Sequence, residues 1–342
     1  MRIRHLLAFG LLVAAVPASL CAQPKADASA EQQMAASGVW LEQANIAMAT
    51  AAEGFGEISA RMQALIAQGV TKEKAAAAAP ELRRLIGEAK NNVQQSNAML
   101  AALPPFPITE GVPFSPQQLV ADARTQNGRF LTLLTDYEVF IDALAKGDAA
   151  AMGRILPKVM EGAFSLIGNQ RLILRNRQAT ISPGESAHQS MGVAVELYRS
   201  MELVGRGAIG ARIGGPAGST KAAATLGPQL AEGAGNLRAL TATGRKNLAA
   251  ELAEFPKATA EVTSDADKRM LERVRRVTAL EEDVFAIADR MATLLEANAR
   301  ISGAELAEQG MPKLYKSLTD MEAELVALST RQSRILAEGV SR

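Results

Sequence analysis

Apolar residues recur at alternating intervals of three and four along most of the chain, which is the spacing of an amphipathic α-helix. The interval averages about 3.5 residues, the repeat that lets long helices pack side by side. It is most regular from Leu82 to Leu103, from Leu119 to Leu144 and from Leu314 to Ile335. The pattern predicts an all-α protein, an elongated antiparallel helical bundle with long, coiled-coil-like helices.

Proline and capping residues predict where these helices begin and end. Residues 104–116 hold five of the 14 prolines, so no helix is expected there. Ser115 with Gln118 predicts a helix start directly afterwards, and Pro80 is interpreted as the start of the preceding helix. Further starts are predicted at Ser182-Pro183-Gly184-Glu185, at Ser264 with Asp267, where a single helix continues to Leu295, and at Ser302 with Glu305.

A glycine-rich stretch, GRGAIGARIGGPAGS at residues 205–219, breaks the helical pattern. We interpret it as a flexible hinge between two helical lobes, residues 31–204 and 220–342. A membrane-contacting tongue is the alternative, but the apolar runs of this stretch are only two or three residues long. The sequence therefore favours the hinge.

Composition agrees with the helical reading. Aromatic residues make up 4% of the chain, whereas Ala and Leu, which lead the helix-propensity scale, are abundant. A β-sandwich or barrel would need more β-branched and aromatic residues. The 48% hydrophobic and 21% charged content also excludes a wholly disordered chain.

The first 22 residues have the layout of a cleaved secretory signal peptide. Arg2 and Arg4 precede an apolar run from Leu6 to Val16, which is shorter than the roughly 20 residues that a membrane span needs. Small residues after Pro17 suit a cleavage site. Cys21 also raises lipidation, although Leu20 stands where a lipoprotein signal has a small residue. We expect residues 23–30 to form a flexible leader and the mature protein to be soluble and periplasmic.

Cleavage would leave a chemically plain chain. Lys+Arg would fall from 37 to 35 by loss of Arg2 and Arg4, against 36 Asp+Glu, so the net charge would change from +1 to −1. This balance argues against a nucleic-acid partner. His188 would be the only histidine and no cysteine pair would remain, so we expect no metal site, no cofactor and no catalytic set.

The most polar interruption of a helical stripe is predicted to be a ligand site. It comprises Asn169, Gln170, Arg171 and Arg175. Arg171 and Arg175 are four residues apart and share a helix face. Guanidinium groups bind carboxylate, nitrate or phosphate through paired hydrogen bonds. The alternative is that these arginines only cover the apolar edge of the helix with their stems.

This segment resembles a motif of a known family. Ile167-Gly168-Asn169-Gln170-Arg171-Leu172 is similar to the Ala-Gly-x-x-Arg-Met box of the periplasmic four-helix sensor domains in nitrate sensors and type IV pilus chemoreceptors. The resemblance implies that Arg171 faces a ligand at a dimer interface. It covers about ten residues, and Leu174 and Asn176 depart from the family's continuation.

Other chemistry-bearing residues are expected to be structural. Trp40 is expected in the core and His188 at the surface. The carboxylates of Asp136, Glu138 and Asp142, and those of Glu281, Glu282 and Asp283, are expected on solvated helix faces because no Glu-x-x-His pair accompanies them.

The sequence thus predicts an exported, non-enzymatic helical-bundle protein that acts through helix–helix contacts with itself or with a cell-envelope partner. The alternative is a periplasmic sensor or binding domain for a small anion. Contact with the membrane is expected only if Cys21 is lipidated.

Overall fold

The computed structural model describes residues 28–53, 55, 57, 58, 61, 62, 65, 71–108, 115–301, 305 and 310–338. Within this part of the chain the protein is an all-α helical bundle, as predicted. Its long helices are α1 (Ala28–Ala52), α2 (Lys72–Ala101), α3 (Pro116–Lys146), α4 (Ala149–Gln178), α5 (Ser186–Glu261), α6 (Asp265–Ala279), α7 (Glu281–Ala299) and α8 (Met311–Ala337). The predicted signal peptide and the Ser302 cap lie outside the described residues, and α1 begins within the predicted leader.

Several predicted helix ends are confirmed by their capping contacts. The Ser115 hydroxyl accepts a hydrogen bond from the Gln118 amide at 3.2 Å. Gly147 ends α3 with a φ of +68°, a left-handed conformation that glycine adopts without strain. Ser264 accepts from the amides of Ala266 and Asp267 at the start of α6. Short polar side chains therefore decide where these helices start.

Three predicted boundaries are wrong. Helix α2 begins at Lys72, capped by Thr71, and Pro80 lies inside it, exposed, where a lost hydrogen bond is tolerated. Ser182 caps no helix, because Glu185 precedes the first helical residue, Ser186. The single helix expected after Ser264 is divided at Leu280 into α6 and α7.

Helix α5 folds back on itself. A straight helix of its 76 residues would be about 114 Å long. Yet the Ser186 amide donates to Glu251 Oε1 at 2.6 Å, and along a straight helix these two residues would stand about 98 Å apart. A Cβ built on Gly218 would lie 2.7 Å from the Gly210 carbonyl oxygen, so the chain reverses between these residues. We call residues 186–210 the outgoing arm and residues 218–261 the returning arm.

The reversal lies within the glycine-rich stretch. Residues on both sides of the reversal are helical, and the axis of α5 breaks between Gly210 and Gly218, inside the stretch where the sequence predicts a break. Both arms belong to the same compact unit, so the stretch joins antiparallel arms within unit 2. Gly207 of the outgoing arm faces Leu226 of the returning arm, where a Cβ would make an ordinary contact of 3.4 Å.

The described chain forms two compact units whose boundaries differ from the predicted 204 and 220. Unit 1 comprises the described residues of Ala44–Ala102 and Val120–Gln170. Unit 2 comprises residues 28–43 and the described residues of Leu103–Leu119 and Arg171–Arg342. The boundaries follow packing, because the arms of α5 cannot be separated without exposing the surface that they bury against each other.

The core of unit 1 follows the predicted stripes of α2 and α3. Leu82, Ile86, Ala89, Val93, Ser96 and Leu100 are all buried on α2. Phe55 packs edge-on against Phe130 and Tyr137 of α3, with ring centroids 5.1 and 5.7 Å apart. Each such aromatic pair contributes about 0.5–1.5 kcal/mol beyond the area that it buries.

Unit 2 is built on the two arms of α5 together with α7 and α8. Phe285 of α7 packs against Gly244 of the returning arm, and Tyr198 of the outgoing arm contacts Glu322 of α8. The start of α1 crosses α8 at Gly38, where a Cβ would lie 2.3 Å from the Ala337 nitrogen. The crossings at Gly244 and Gly38 depend on residues without a side chain.

Trp40 lies in the core of unit 2, as predicted. It is 3% exposed, and its indole nitrogen donates to the Pro104 carbonyl oxygen at 2.9 Å. Its ring meets Phe106 edge-on at 5.0 Å. The proline-rich connection is thereby fastened to α1.

Two glycines of the returning arm give a matched test of this packing. A Cβ at Gly244 would lie 2.2 Å from the Phe285 ring, which is fully buried, whereas a Cβ at Gly235 meets nothing within 4 Å. We expect Gly244→Ala to lower the free energy of unfolding by about 1–3 kcal/mol through overpacking. Gly235→Ala should raise it by about 0.5–1 kcal/mol through helix propensity.

The measurement is denaturant unfolding followed by circular dichroism and by Trp40 fluorescence. Equal effects of the two substitutions would contradict the packing of α7 on the returning arm.

Candidate functional site

Asn169 and Gln170, two of the predicted ligand residues, lie inside unit 1 and take part in its packing. Asn169 Nδ2 donates to Gln126 Oε1 at 2.6 Å, and Gln126 Nε2 donates to the Leu166 carbonyl oxygen at 3.0 Å. Gln170 is 2% exposed, and its Nε2 has no hydrogen-bond partner within the described residues. The carboxamide of Asn169 therefore links α4 to α3.

Arg171 and Arg175 belong to unit 2 and differ in their surroundings. Arg171 Nη1 lies 3.0 Å from Glu202 Oε2 on the outgoing arm of α5. The other oxygen of Glu202 accepts from Arg206 Nε at 3.2 Å. Arg175 is exposed. Glu202 thus already supplies Arg171 with a carboxylate, the type of group that the predicted ligand would provide.

The four residues of the predicted site are consequently divided between the two compact units. The two amides belong to unit 1, while the two arginines belong to unit 2. A ligand anion at Arg171 would have to compete with Glu202, which is mostly buried and fixed between two guanidinium groups. The anion site at these four residues remains a prediction.

Sequence reasoning missed two deeply buried carboxyl groups in unit 2. Glu281 is 5% exposed and Glu322 is 0% exposed. Removal from water disfavours the ionised form, and this desolvation raises the pKa of each carboxyl from its ordinary 4.5 to about 8. Both groups therefore hold a proton at neutral pH.

Glu281 lies in a polar cluster at the start of α5. Its Oε2 accepts a hydrogen bond from the Ser190 hydroxyl at 3.1 Å. Ser186 donates to both oxygens of Glu251, from its amide at 2.6 Å and from its hydroxyl at 2.7 Å. The positive end of the α5 helix dipole thus receives a carboxylate from the returning arm instead of the local cap predicted at Ser182.

In addition to burial, two neighbouring carboxylates raise the pKa of Glu281. After desolvation, the proximity of Glu251 and Glu185 is a further cause that raises the pKa of Glu281, while Ser186 and Ser190 oppose it by hydrogen bonding. Burial, and then Glu251, also raise the pKa of Glu185. A proton on Glu281 relieves this repulsion.

The second buried carboxyl, Glu322, faces the buried tyrosine of the outgoing arm. The Tyr198 hydroxyl donates to Glu322 Oε1 at 2.5 Å. Glu322 Oε2 is buried with no hydrogen-bond partner among the described residues. Burial followed by the nearby Glu322 raises the pKa of Tyr198 well above its ordinary value. This pair joins α5 to α8 through neutral groups.

The sequence contains a signal for the burial of Glu322, whereas the signal for the burial of Glu281 is weak. Glu322 lies four residues after Leu318 and three before Leu325, so it falls on the apolar stripe of α8. Glu281 was expected on a solvated face with Glu282 and Asp283. That expectation holds for the two neighbours, which are exposed, and is wrong for Glu281.

His188 is also more enclosed than expected. It is half-buried, and its Nδ1 lies 3.0 Å from the Ile181 carbonyl oxygen. Gln178 Nε2 donates to the His188 carbonyl oxygen at 3.1 Å. These contacts fasten the connection between α4 and α5.

The described residues hold no group of three or more histidine, cysteine or carboxylate side chains that could bind a metal ion. In the same part of the chain, every helix is too short or too polar to cross a bilayer.

Comparison of the chain with protein-family models, with curated proteins and with solved structures gives no match.

The buried carboxyls make stability depend on pH. The unfolded chain loses these protons near pH 4.5, whereas the folded protein keeps them to about pH 8. Between these values the folded state binds more protons, so its stability falls as pH rises, by up to about 1.4 kcal/mol per pH unit for each group. We expect the melting temperature to decrease from pH 5 to pH 8.

Neutral isosteres test the assignment. Glu322→Gln removes a titrating group, so its melting temperature should exceed that of the wild type at pH 8 and change less with pH. Glu282→Gln, at an exposed site, serves as the control and should leave the pH dependence unchanged. A pH dependence that is the same in the wild type and in Glu322→Gln would contradict the buried, protonated carboxyl.

Proposed function

We propose that this chain is an exported, non-enzymatic helical-bundle protein that acts through helix–helix contacts with itself or with a partner in the cell envelope. The proposal of export rests on the sequence of residues 1–22, where two arginines precede an apolar run and small residues. The proposal of helix–helix contact rests on the geometry of α4.

The observation that carries the proposal is the exposure of Leu172. The residue is 54% exposed, more than Ile46 at 50%, Val139 at 49% or Leu156 at 40%. Arg175, three residues later on the same helix, is also exposed. An apolar side chain beside a cation suits a partner helix with an apolar stripe flanked by acidic residues.

The surroundings of Leu172 support a contact face over a ligand pocket. Arg171, directly before it, is paired with Glu202, so this turn of α4 is held on the outgoing arm of α5. A rigid helix face binds a partner with less loss of conformational entropy than a mobile one. The polar residues of this region thus orient the exposed face of α4.

Substitution at Leu172 tests the proposal. We expect the wild-type protein to self-associate in sedimentation velocity or to capture a specific envelope protein after crosslinking in cells. Leu172→Glu should weaken that association about tenfold or more, because a buried leucine contributes about 1.5–3 kcal/mol and the new charge repels acidic groups.

Ile46→Glu is the matched control, since Ile46 is about equally exposed on α1. It should leave the association unchanged. A protein that is strictly monomeric and captures no envelope protein would contradict the proposed function. Equal loss in both variants would contradict the assignment to α4.

A further inference from the structure

The junction of α6 and α7 forms a cleft of about 250 Å³ in unit 2. Helix α6 ends at Ala279 and α7 begins at Glu281, with Leu280 between them. Arg275 and Arg276 line the cleft from α6, while Arg331 and Ile335 line it from α8. The division of the expected single helix at Leu280 thus gives the surface a concave site.

The cleft has an apolar floor beneath a rim of guanidinium groups. Leu280 and Ile335 are each 6% exposed, so they form the floor. Three arginines and a single carboxylate, that of Asp283, surround it. This combination suits a ligand with an acidic head and an apolar tail, because each part meets a group of matching chemistry.

The three guanidinium groups retain hydrogen-bonding capacity. Arg275 uses Nε and Nη2 toward Glu272, at 2.8 and 2.6 Å. Arg276 uses Nη1 and Nη2 toward Glu338, at 2.5 and 2.8 Å. Since a guanidinium carries five N–H donors, both contacts leave donors for a further acceptor.

Arg331 is the least committed of the three. Its Nη1 lies 3.9 Å from Asp283 Oδ2, beyond hydrogen-bonding distance. Its side chain is 65% exposed. A carboxylate that accepts two parallel hydrogen bonds from this group would replace a long contact with a short one.

We propose that the cleft binds a small organic carboxylate with a short aliphatic tail, its head on Arg331 and its tail on Leu280 and Ile335. The volume lies below the roughly 300–1,000 Å³ of pockets for drug-sized molecules, so the ligand is small. The site is separate from the predicted one at Arg171 and does not depend on the proposed function.

The charges of the cleft set the expected strength of binding. Its three arginines are balanced by Glu272, Glu338 and Asp283, so long-range attraction of an anion is weak. Asp283 opposes the ligand directly, because it repels the carboxylate and attracts Arg331. Binding is therefore expected to be modest and to strengthen when the charge of Asp283 is removed.

Isothermal titration of the protein with octanoate tests the inference. We expect saturable binding at one site, at least tenfold weaker in Arg331→Gln and tighter in Asp283→Asn. Two controls should match the wild type: Arg334→Gln, on the same helix outside the cleft, and Arg171→Ala, at the sequence-predicted site. Acetate has the carboxylate without the long tail, and 1-octanol has the tail without the carboxylate. Each should therefore bind far more weakly than octanoate.

Several results would overturn the inference. They are the absence of saturable octanoate binding, binding unchanged in Arg331→Gln, and 1-octanol or acetate binding as tightly as octanoate. Loss of binding in Arg171→Ala alone would place the anion site on α4. Circular dichroism confirms that each variant is folded, so that loss of binding is read as loss of a contact.

Discussion

The hydrogen bonds from Ser186 to Glu251 can form only if α5 reverses direction, and the architecture of unit 2 depends on that reversal. These residues are 65 positions apart in a single run of helical backbone, yet their polar atoms are within 2.7 Å. The turn lies between Gly210 and Gly218, and a Cβ on Gly218 would lie only 2.7 Å from the Gly210 carbonyl oxygen. With the arms antiparallel, α7 can place Phe285 against Gly244 and α8 can place Glu322 against Tyr198.

The polar groups buried in unit 2 constrain how its helices pack. An apolar core alone tolerates a shift of one helix along another, whereas a buried carboxyl must meet its partner or lose free energy. Glu281 meets Ser190 across the α5–α7 contact, and Glu322 meets Tyr198 across the α5–α8 contact. Protonation avoids the larger cost of burying two negative charges. These carboxyls thereby fix the register of α7 and α8 on α5.

The sequence was sufficient for the fold class and for most buried stripes, because 3.5-residue periodicity and short polar caps act locally. The stripe of α2 and the caps at Ser115 and Ser264 are of this kind. The sequence was not sufficient where a helix cap or a side-chain pairing depends on a residue that is distant in the chain. Glu251 accepts from Ser186 at the start of α5, where a local cap at Ser182 was expected. Glu202 pairs with Arg171, for which the sequence had predicted a ligand. Neither contact can be predicted from the spacing of the residues near it in the sequence.

The glycine-rich stretch marks the place where α5 reverses. Its residues mark the point where the helical pattern changes, but whether they separate lobes or join arms depends on what the flanking helices bury. The apolar stripe of the outgoing arm, which includes Met191, Ala194 and Tyr198, is buried in unit 2 together with Leu230, Ala234 and Leu237 of the returning arm. The burial of both stripes in one unit makes the stretch a turn between arms.

The most direct test of this account is the distance between the two arms of α5. Spin labels at Val195→Cys, a half-buried position, and Ala239→Cys, an exposed one, report that distance by pulsed electron paramagnetic resonance, with Cys21 replaced by Ser. Neighbouring helices pack about 8–10 Å apart, so the antiparallel arms predict a narrow distribution below about 30 Å with the labels included. A distance near 66 Å, which corresponds to about 1.5 Å per residue along a continuous straight helix, would contradict the folded-back helix on which unit 2 is built.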